Sequence, residues 1–243
     1  MVDGYDFSGR VVVITGGANG IGAATARAAA AAGATVVVLD LNEETGKALA
    51  AEHAGITFHR LDVSDHDEVQ TAIALVAAEH GRIDGLVCCA IVQPLIPVLE
   101  MTPDKLSRVL DINLGGVVWA SKAVAPVMAR QNSGSIVYFA SGTADFGKPH
   151  SSPYTASKGA VAGFAHTFAK EVAPYGVRVN LCRPGVIDTP QYRVSNPDAD
   201  YSKIDKPEDA VGPVMFLLSD FATMTNSIVT REGTLPRTPR TFP

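Results

Sequence analysis

The sequence predicts a doubly wound α/β fold, a parallel seven-stranded sheet with helices on both faces. Three observations carry this. Short β-branched runs alternate with longer segments of helical period along the whole 243 residues. Most runs are continuous apolar stretches, as a strand covered on both faces requires, rather than the apolar–polar alternation of a half-exposed strand. No Pro/Ser-rich linker breaks the alternation, so residues 1–243 read as one domain.

The strand candidates in order are Val11–Thr15, Thr35–Leu39, Ile56–His59, Gly85–Cys89, Ser135–Ala140, Val177–Cys182 and Ser227–Thr230. Helical segments are predicted near 20–32, 43–53, 65–80, 103–130, 153–175 and 207–219. Ser64-Asp65 before the third helix and Thr102-Pro103 before the fourth are cap-and-entry signals, the latter with proline at the first helical position. Strand–helix–strand units of this length make right-handed crossovers in one parallel sheet.

Composition narrows the function classes. The chain is 47% hydrophobic and 19% charged, with 20 Lys+Arg against 25 Asp+Glu and a net charge of −5. Without a dense basic block, a nucleic-acid footprint is not expected. Mean hydropathy is +0.15, owed to alanine and short aliphatic runs. No contiguous run reaches the roughly 18 apolar residues of a spanning helix, so no membrane partner is expected. Met1 to Arg10 carry two Asp and no apolar core, unlike a signal peptide. Cys88, Cys89 and Cys182 are odd in number and sit in apolar runs, which fits buried thiols in a reducing cytoplasm. His53, His59, His66, His80, His150 and His166 show no ligand spacing, and no metal is expected.

Directly after the first strand, Thr15-Gly16-Gly17-Ala18-Asn19-Gly20-Ile21-Gly22 opens a helix. Glycines allow positive φ and let backbone N–H groups approach a pyrophosphate at the helix N-terminus. The acid expected with such a turn is Asp40, at the end of the second strand. A carboxylate there accepts from ribose hydroxyls and repels a 2′-phosphate. Leu41-Asn42 follow it and nothing basic sits in the turn, so NAD is expected over NADP. Asp62, in Leu61-Asp62-Val63, falls at the same edge of the sheet.

Tyr154-Thr155-Ala156-Ser157-Lys158 sets a tyrosine and a lysine on one helix face. A free tyrosine titrates at about 10, too high for a base at neutral pH. A nearby ammonium favours the phenolate and lowers that value.

With the glycine turn, this pair resembles the short-chain dehydrogenase/reductase family over nearly the whole chain. The family's T-G-x-x-x-G-x-G matches Thr15, Gly16, Gly20 and Gly22, and its serine thirteen residues before the tyrosine is Ser141. Its helix-four asparagine matches Asn113, and its P-G-x-I/V-x-T loop matches Pro184, Gly185, Ile187 and Thr189. The resemblance implies a Rossmann-type domain in which Tyr154 is the general acid/base and Lys158 lowers its pKa and holds the nicotinamide ribose. Ser141 would polarise the carbonyl, and Asn113 would position a water behind Lys158. It implies a cofactor set of Gly16, Asn19, Gly20, Ile21, Gly22, Asp40, Leu41, Asp62, Val63, Ala90, Tyr154, Lys158, Pro184, Gly185, Ile187 and Thr189. The expected activity is NAD(H)-dependent interconversion of a secondary alcohol and a ketone. The alternatives weighed are an NADPH-dependent carbonyl or 3-oxoacyl reductase and a dinucleotide-binding protein without turnover. A homotetramer or homodimer is expected through helices 103–130 and 153–175, where Val117-Val118-Trp119-Ala120 and Val161–Ala165 offer small and apolar surfaces.

Three segments depart from the family pattern. Cys88-Cys89-Ala90-Ile91 replaces N-N-A-G, and Ile91 is expected to turn into the core rather than crowd the cofactor. The substrate loop, about 190–206, is short and polar, and Gln191–Asp205 is expected to be open or mobile. Thr230-Arg231-Glu232-Gly233 replaces V-D-G-G, and the tail 234–243 reads as disordered.

Overall fold

The computed structural model describes residues 4–231; the tail at 234–243 therefore lies outside the described residues. β1 (Val11–Thr15) runs parallel to β2 (Thr35–Asp40) on one side and β4 (Gly85–Cys88) on the other. With β3 (Ile56–Arg60), β5 (Gly134–Phe139), β6 (Val177–Arg183) and β7 (Ile228–Thr230), the order is β3-β2-β1-β4-β5-β6-β7, parallel throughout. The order reverses between β1 and β4. Loops leaving those two strands diverge there and open the crevice in which such sheets bind ligands.

Helices cover both faces, as the continuous apolar strands require. Val11 and Val13 face one core with α3 (His66–His80), α5 (Gly116–Gln131) and α7 (Ser152–Val172). Val12 and Ile14 face the other with α1 (Gly20–Ala31), α2 (Glu43–Glu52) and α9 (Val211–Leu218). Five buried alanines of α1 (Ala23, Ala24, Ala26, Ala29 and Ala30) let that helix lie close on the sheet. Asp65 caps α3 by accepting from the amides of Asp67 and Glu68. Thr102 caps α4 (Pro103–Leu110) by accepting from Lys105 N, with Pro103 in the first turn.

The predicted helix at 103–130 is continuous but not uniform. A π-helical turn, Asp111–Gly115, joins α4 to α5 and widens the backbone around Asn113. Along 103–131 the chain is long and apolar enough to cross a membrane by length and composition, which sequence runs alone did not indicate. Its buried side chains belong to the sheet core, including Val117, Ala120, Val124 and Met128.

The 190–206 segment differs from the open loop expected. It begins with α8 (Pro190–Ser195), capped by Thr189, and adds a 3₁₀ turn at Tyr201–Lys203. Its root is clamped. Asp188, its side chain 3% exposed, takes Arg193 Nε at 2.6 Å and Lys206 Nζ at 2.6 Å. Asp188 N donates to Asp205 O, and Arg231 ties Asp205 at 2.7 Å while donating to Pro184 O at 3.0 Å. The ion pairs supply the order that the segment's few apolar residues do not.

Candidate active site

The glycine turn does what its composition demands. Gly16 adopts φ +65° and packs directly on the Ala90 backbone, where a β-carbon would overlap; Gly22 similarly packs on Gly16. Gly20, at φ +53°, abuts the methyl of Thr189. Asn19 does not cap α1. Its amide nitrogen donates instead to Thr45 Oγ1 at 2.9 Å, so no side chain of the turn covers the amides of Gly20, Ile21 and Gly22. This donor set fits a pyrophosphate.

Asp40 closes β2 and holds the turn, accepting from Ala18 N through one oxygen and Asn42 N through the other, both at 3.0 Å. Each oxygen keeps a lone pair for a ribose hydroxyl. Strand pairing reveals a neighbour that linear reading missed: Arg60 sits opposite Asp40 in register. Nothing basic lies in the turn or directly after Asp40, and the register adds a base on the neighbouring strand. Glu68 lies 4.0 Å from the Arg60 guanidinium, and Glu43 also feels its charge, so acids surround it. Asp62 holds the following turn through Ser64 N and Oγ, at 2.9 and 2.6 Å, while Val63 is buried against Gly116. Leu41 is exposed beyond β2.

Across the crevice, β5 delivers Ser141 and α7 delivers Tyr154 and Lys158. Ser141 Oγ contacts Thr143 Oγ1 at 2.9 Å and accepts from Thr143 N at 3.3 Å, within the turn that starts α6 (Thr143–Phe146). Tyr154 is buried, and burial pushes its phenol above the ordinary range although a hydrogen bond with Ser141 pulls the other way. Lys158 Nζ lies 5.8 Å from the Tyr154 ring centre and donates to Phe139 O at 2.8 Å. Its amine is depressed to about 8 by burial. The expected lowering of Tyr154 is opposed in the protein alone by burial, against which the Ser141 hydrogen bond pulls.

Asn113 is buried in the π turn, and its side chain is fully used. Oδ1 accepts from Val92 N, and Nδ2 donates to Val92 O and to Ser157 Oγ, which in turn donates to Tyr154 O. The amide clasps the loop after β4 to the tyrosine helix. Ile91 also departs from expectation. It is half-buried and belongs to neither apolar core. Pro184, Gly185 (φ +81°), buried Ile187 and Thr189 line the opposite lip. The Asp188 clamp was missed by sequence reasoning, although Thr189-Pro190 is the same cap-and-proline signal that located α4.

A dinucleotide-type crevice with a serine, a tyrosine and a lysine converging at one end defines a nicotinamide-dependent oxidoreductase architecture. The family model described as short chain dehydrogenase matches residues 10–200. A 2-dehydro-3-deoxy-L-rhamnonate dehydrogenase (NAD(+)) of Sphingomonas sp. (strain SKA58) is 36% identical, over 91% of this chain and 92% of its own. A 3-oxoacyl-acyl-carrier-protein reductase of Thermotoga maritima is 33% identical, over 93% and 98%. The crystal structure of levodione reductase superposes with a TM-score of 0.87 at 31% identity, over 93% of this chain and 97% of that one. The chain belongs to the short-chain dehydrogenase/reductase family, oxidoreductases that act on CH–OH groups and their carbonyl counterparts with NAD(P).

Proposed function

We propose that this chain is an NAD(H)-dependent oxidoreductase that interconverts a secondary alcohol and a ketone. The observation that carries the reading is the grouping of Tyr154 and Lys158, on α7, with Ser141, just after β5. When bound, the dinucleotide gives or takes the hydride. The α1 amides and Gly16 hold its phosphates, Asp40 its adenosine ribose, and Lys158 its nicotinamide ribose. Thr189 and Ile187 shape the wall beside the ring.

Tyr154 transfers the proton at the substrate oxygen, and Ser141 donates to that oxygen as charge develops. In the oxidation direction the phenolate is the base. Its burial opposes ionisation, so the positive charge of Lys158, and of the oxidised nicotinamide ring when bound, must offset the desolvation. Thr143 keeps the Ser141 hydroxyl turned toward the reacting oxygen.

NAD is favoured over NADP because Asp40 ends β2 and Arg60 is already surrounded by Glu43 and Glu68. The relative named for NAD(+) supports this choice. The 190–206 segment is assigned as the substrate lid of a single domain. Homo-oligomerisation is assigned to the outer faces of α5 and α7, where Trp119 and Phe164 remain only half-buried.

Thermal melting with saturating NADH, and separately NADPH, tests the reading first. Ligand at 100 times its Kd adds about 2.7 kcal/mol, or roughly 5–10 °C in Tm for a chain of this length. A shift with NADH alone is expected. Tyr154→Phe should keep that shift and lose turnover; comparable turnover in this variant overturns the assignment.

A further inference from the structure

The turn after Ser141 carries an aromatic ring out into solvent. Phe146, the last residue of α6, is 79% exposed, yet its position is defined. The ring lies over Gly142, where a β-carbon would stand 2.8 Å from ring atom Cε1. Gly142 immediately follows Ser141, so the ring is held beside the residue that would polarise the substrate oxygen.

Three hydrogen bonds join the segments at 93–96, 148–150 and 195–196 into one rim, which starts two residues beyond Phe146. Ser195 Oγ donates to Gln93 O at 2.6 Å, Ile96 N donates to His150 O at 2.6 Å, and Lys148 Nζ donates to Asn196 Oδ1 at 2.6 Å. The same bonds consume polar side chains of the rim, and Asn196 Nδ2 is further engaged by Tyr192 O. Asp145, next to Phe146, is paired with Arg183 at 2.7 Å. Exposed Leu95 and Val194 lie on two of the segments so joined. A polyol hydroxyl laid against this ring would give up water with no hydrogen-bond partner in return, an unfavourable exchange. A hydrocarbon body would instead cover Phe146.

We propose that Phe146 is a specificity-determining residue whose exposed ring, beside Ser141, selects alicyclic alcohols and ketones over polyols. This rests on the oxidoreductase reading above. The experiment compares kcat/KM for 4-methylcyclohexanol, 2-butanol and erythritol with NAD in the wild type, in Phe146→Ser and in Gly142→Ala, whose β-carbon displaces the ring. Both variants are checked for NADH Kd and Tm, which an exposed ring should leave in place. The wild type should prefer the ring alcohol to erythritol by at least about tenfold, the scale of a hydrophobic pocket contact. Phe146→Ser should reduce the ring-alcohol to 2-butanol ratio by about tenfold, and Gly142→Ala should move it in the same direction. Preference for erythritol, or an unchanged ratio in Phe146→Ser, overturns this inference and leaves the oxidoreductase reading standing. NADH binding without turnover of any alcohol or of the matching ketones overturns both.

Discussion

Asn113 grips the peptide of Val92 from both sides, accepting from its N–H at 2.8 Å and donating to its carbonyl at 2.9 Å. The clasp is possible because the π turn at Asp111–Gly115 swings this side chain toward the loop after β4. Through Ser157 it also reaches the carbonyl of Tyr154. One amide therefore sets the distance between the floor of the crevice and the tyrosine helix.

Replacing Asn113 with Leu should remove three hydrogen bonds and leave the Val92 peptide without its partner. The expected loss is about 2–3 kcal/mol, or roughly 5–10 °C in Tm. Turnover should fall even below the melting temperature, because Tyr154 loses its register with Ser141. Thermal unfolding and steady-state kinetics together check this; a stable variant with full kcat contradicts the clasp.

Lys158 has a folded-state pKa of about 8 against an ordinary value of 10.5. Between those values the unfolded chain holds more protons on this residue than the folded one. Its burial therefore penalises folding fully below pH 8, and the penalty fades as pH rises toward 10.5. Lys158→Met should accordingly raise the stability of the cofactor-free protein at pH 7 while abolishing activity. The stability difference from wild type should shrink between pH 8 and 10. Denaturant titrations of both proteins at several pH values measure it.

Asp40 should govern cofactor choice through charge. Removing a carboxylate near a 2′-phosphate at surface dielectric relieves about 1–2 kcal/mol of repulsion. Asp40→Ser should thus tighten NADPH binding by roughly 5–30-fold and weaken NADH, since the ribose hydroxyls lose their acceptor. Calorimetric Kd values for both dinucleotides decide the matter, and an unchanged ratio would show that Arg60 and not Asp40 controls the pocket.

The Asp188 clamp should survive mild acid. Arg193 and Lys206 hold its carboxyl well below the usual range. A carboxylate lowered on folding contributes stability that is present above its unfolded value and fades only as pH falls through the folded one. The 190–206 segment should therefore stay ordered at pH 5. Asp188→Asn should release it at neutral pH, seen as rapid tryptic cleavage after Arg193 and Lys203 and as a raised KM with little change in NADH Kd. Slow cleavage in the variant would show that Arg231–Asp205 alone secures the segment.

Linear periodicity located the seven strands of the described residues within a residue or so. For β1, β2, β4, β5 and β6 the reason is that a strand buried on both faces must be apolar throughout, whereas the edge strands β3 and β7 are partly exposed. The glycine turn, Asp40 and Ser141 stand at or just after the carboxyl ends of β1, β2 and β5, and Tyr154 and Lys158 stand on α7. What sequence could not display was pairing across strands and loops. Arg60 becomes a neighbour of Asp40 only through β2–β3 register. Gln191–Asp205 reads as loose because it is mostly polar, while ion pairs at its root, which no local pattern encodes, hold it. The direction of the Tyr154 shift was equally hidden, since desolvation depends on the depth of α7 against the sheet.

The two buried cysteines of the central sheet have an experimental use. Cys88 and Cys182 are 4% and 0% exposed, and burial raises both thiols to about 12. At neutral pH neither carries appreciable thiolate, the form that alkylating and disulfide reagents attack. Their modification must wait until β4 and β6 separate from the sheet. Two native sulfur atoms at the centre of the molecule thereby act as a built-in clock, whose labelling rate reads how often the central sheet comes apart and how far a bound dinucleotide slows that opening.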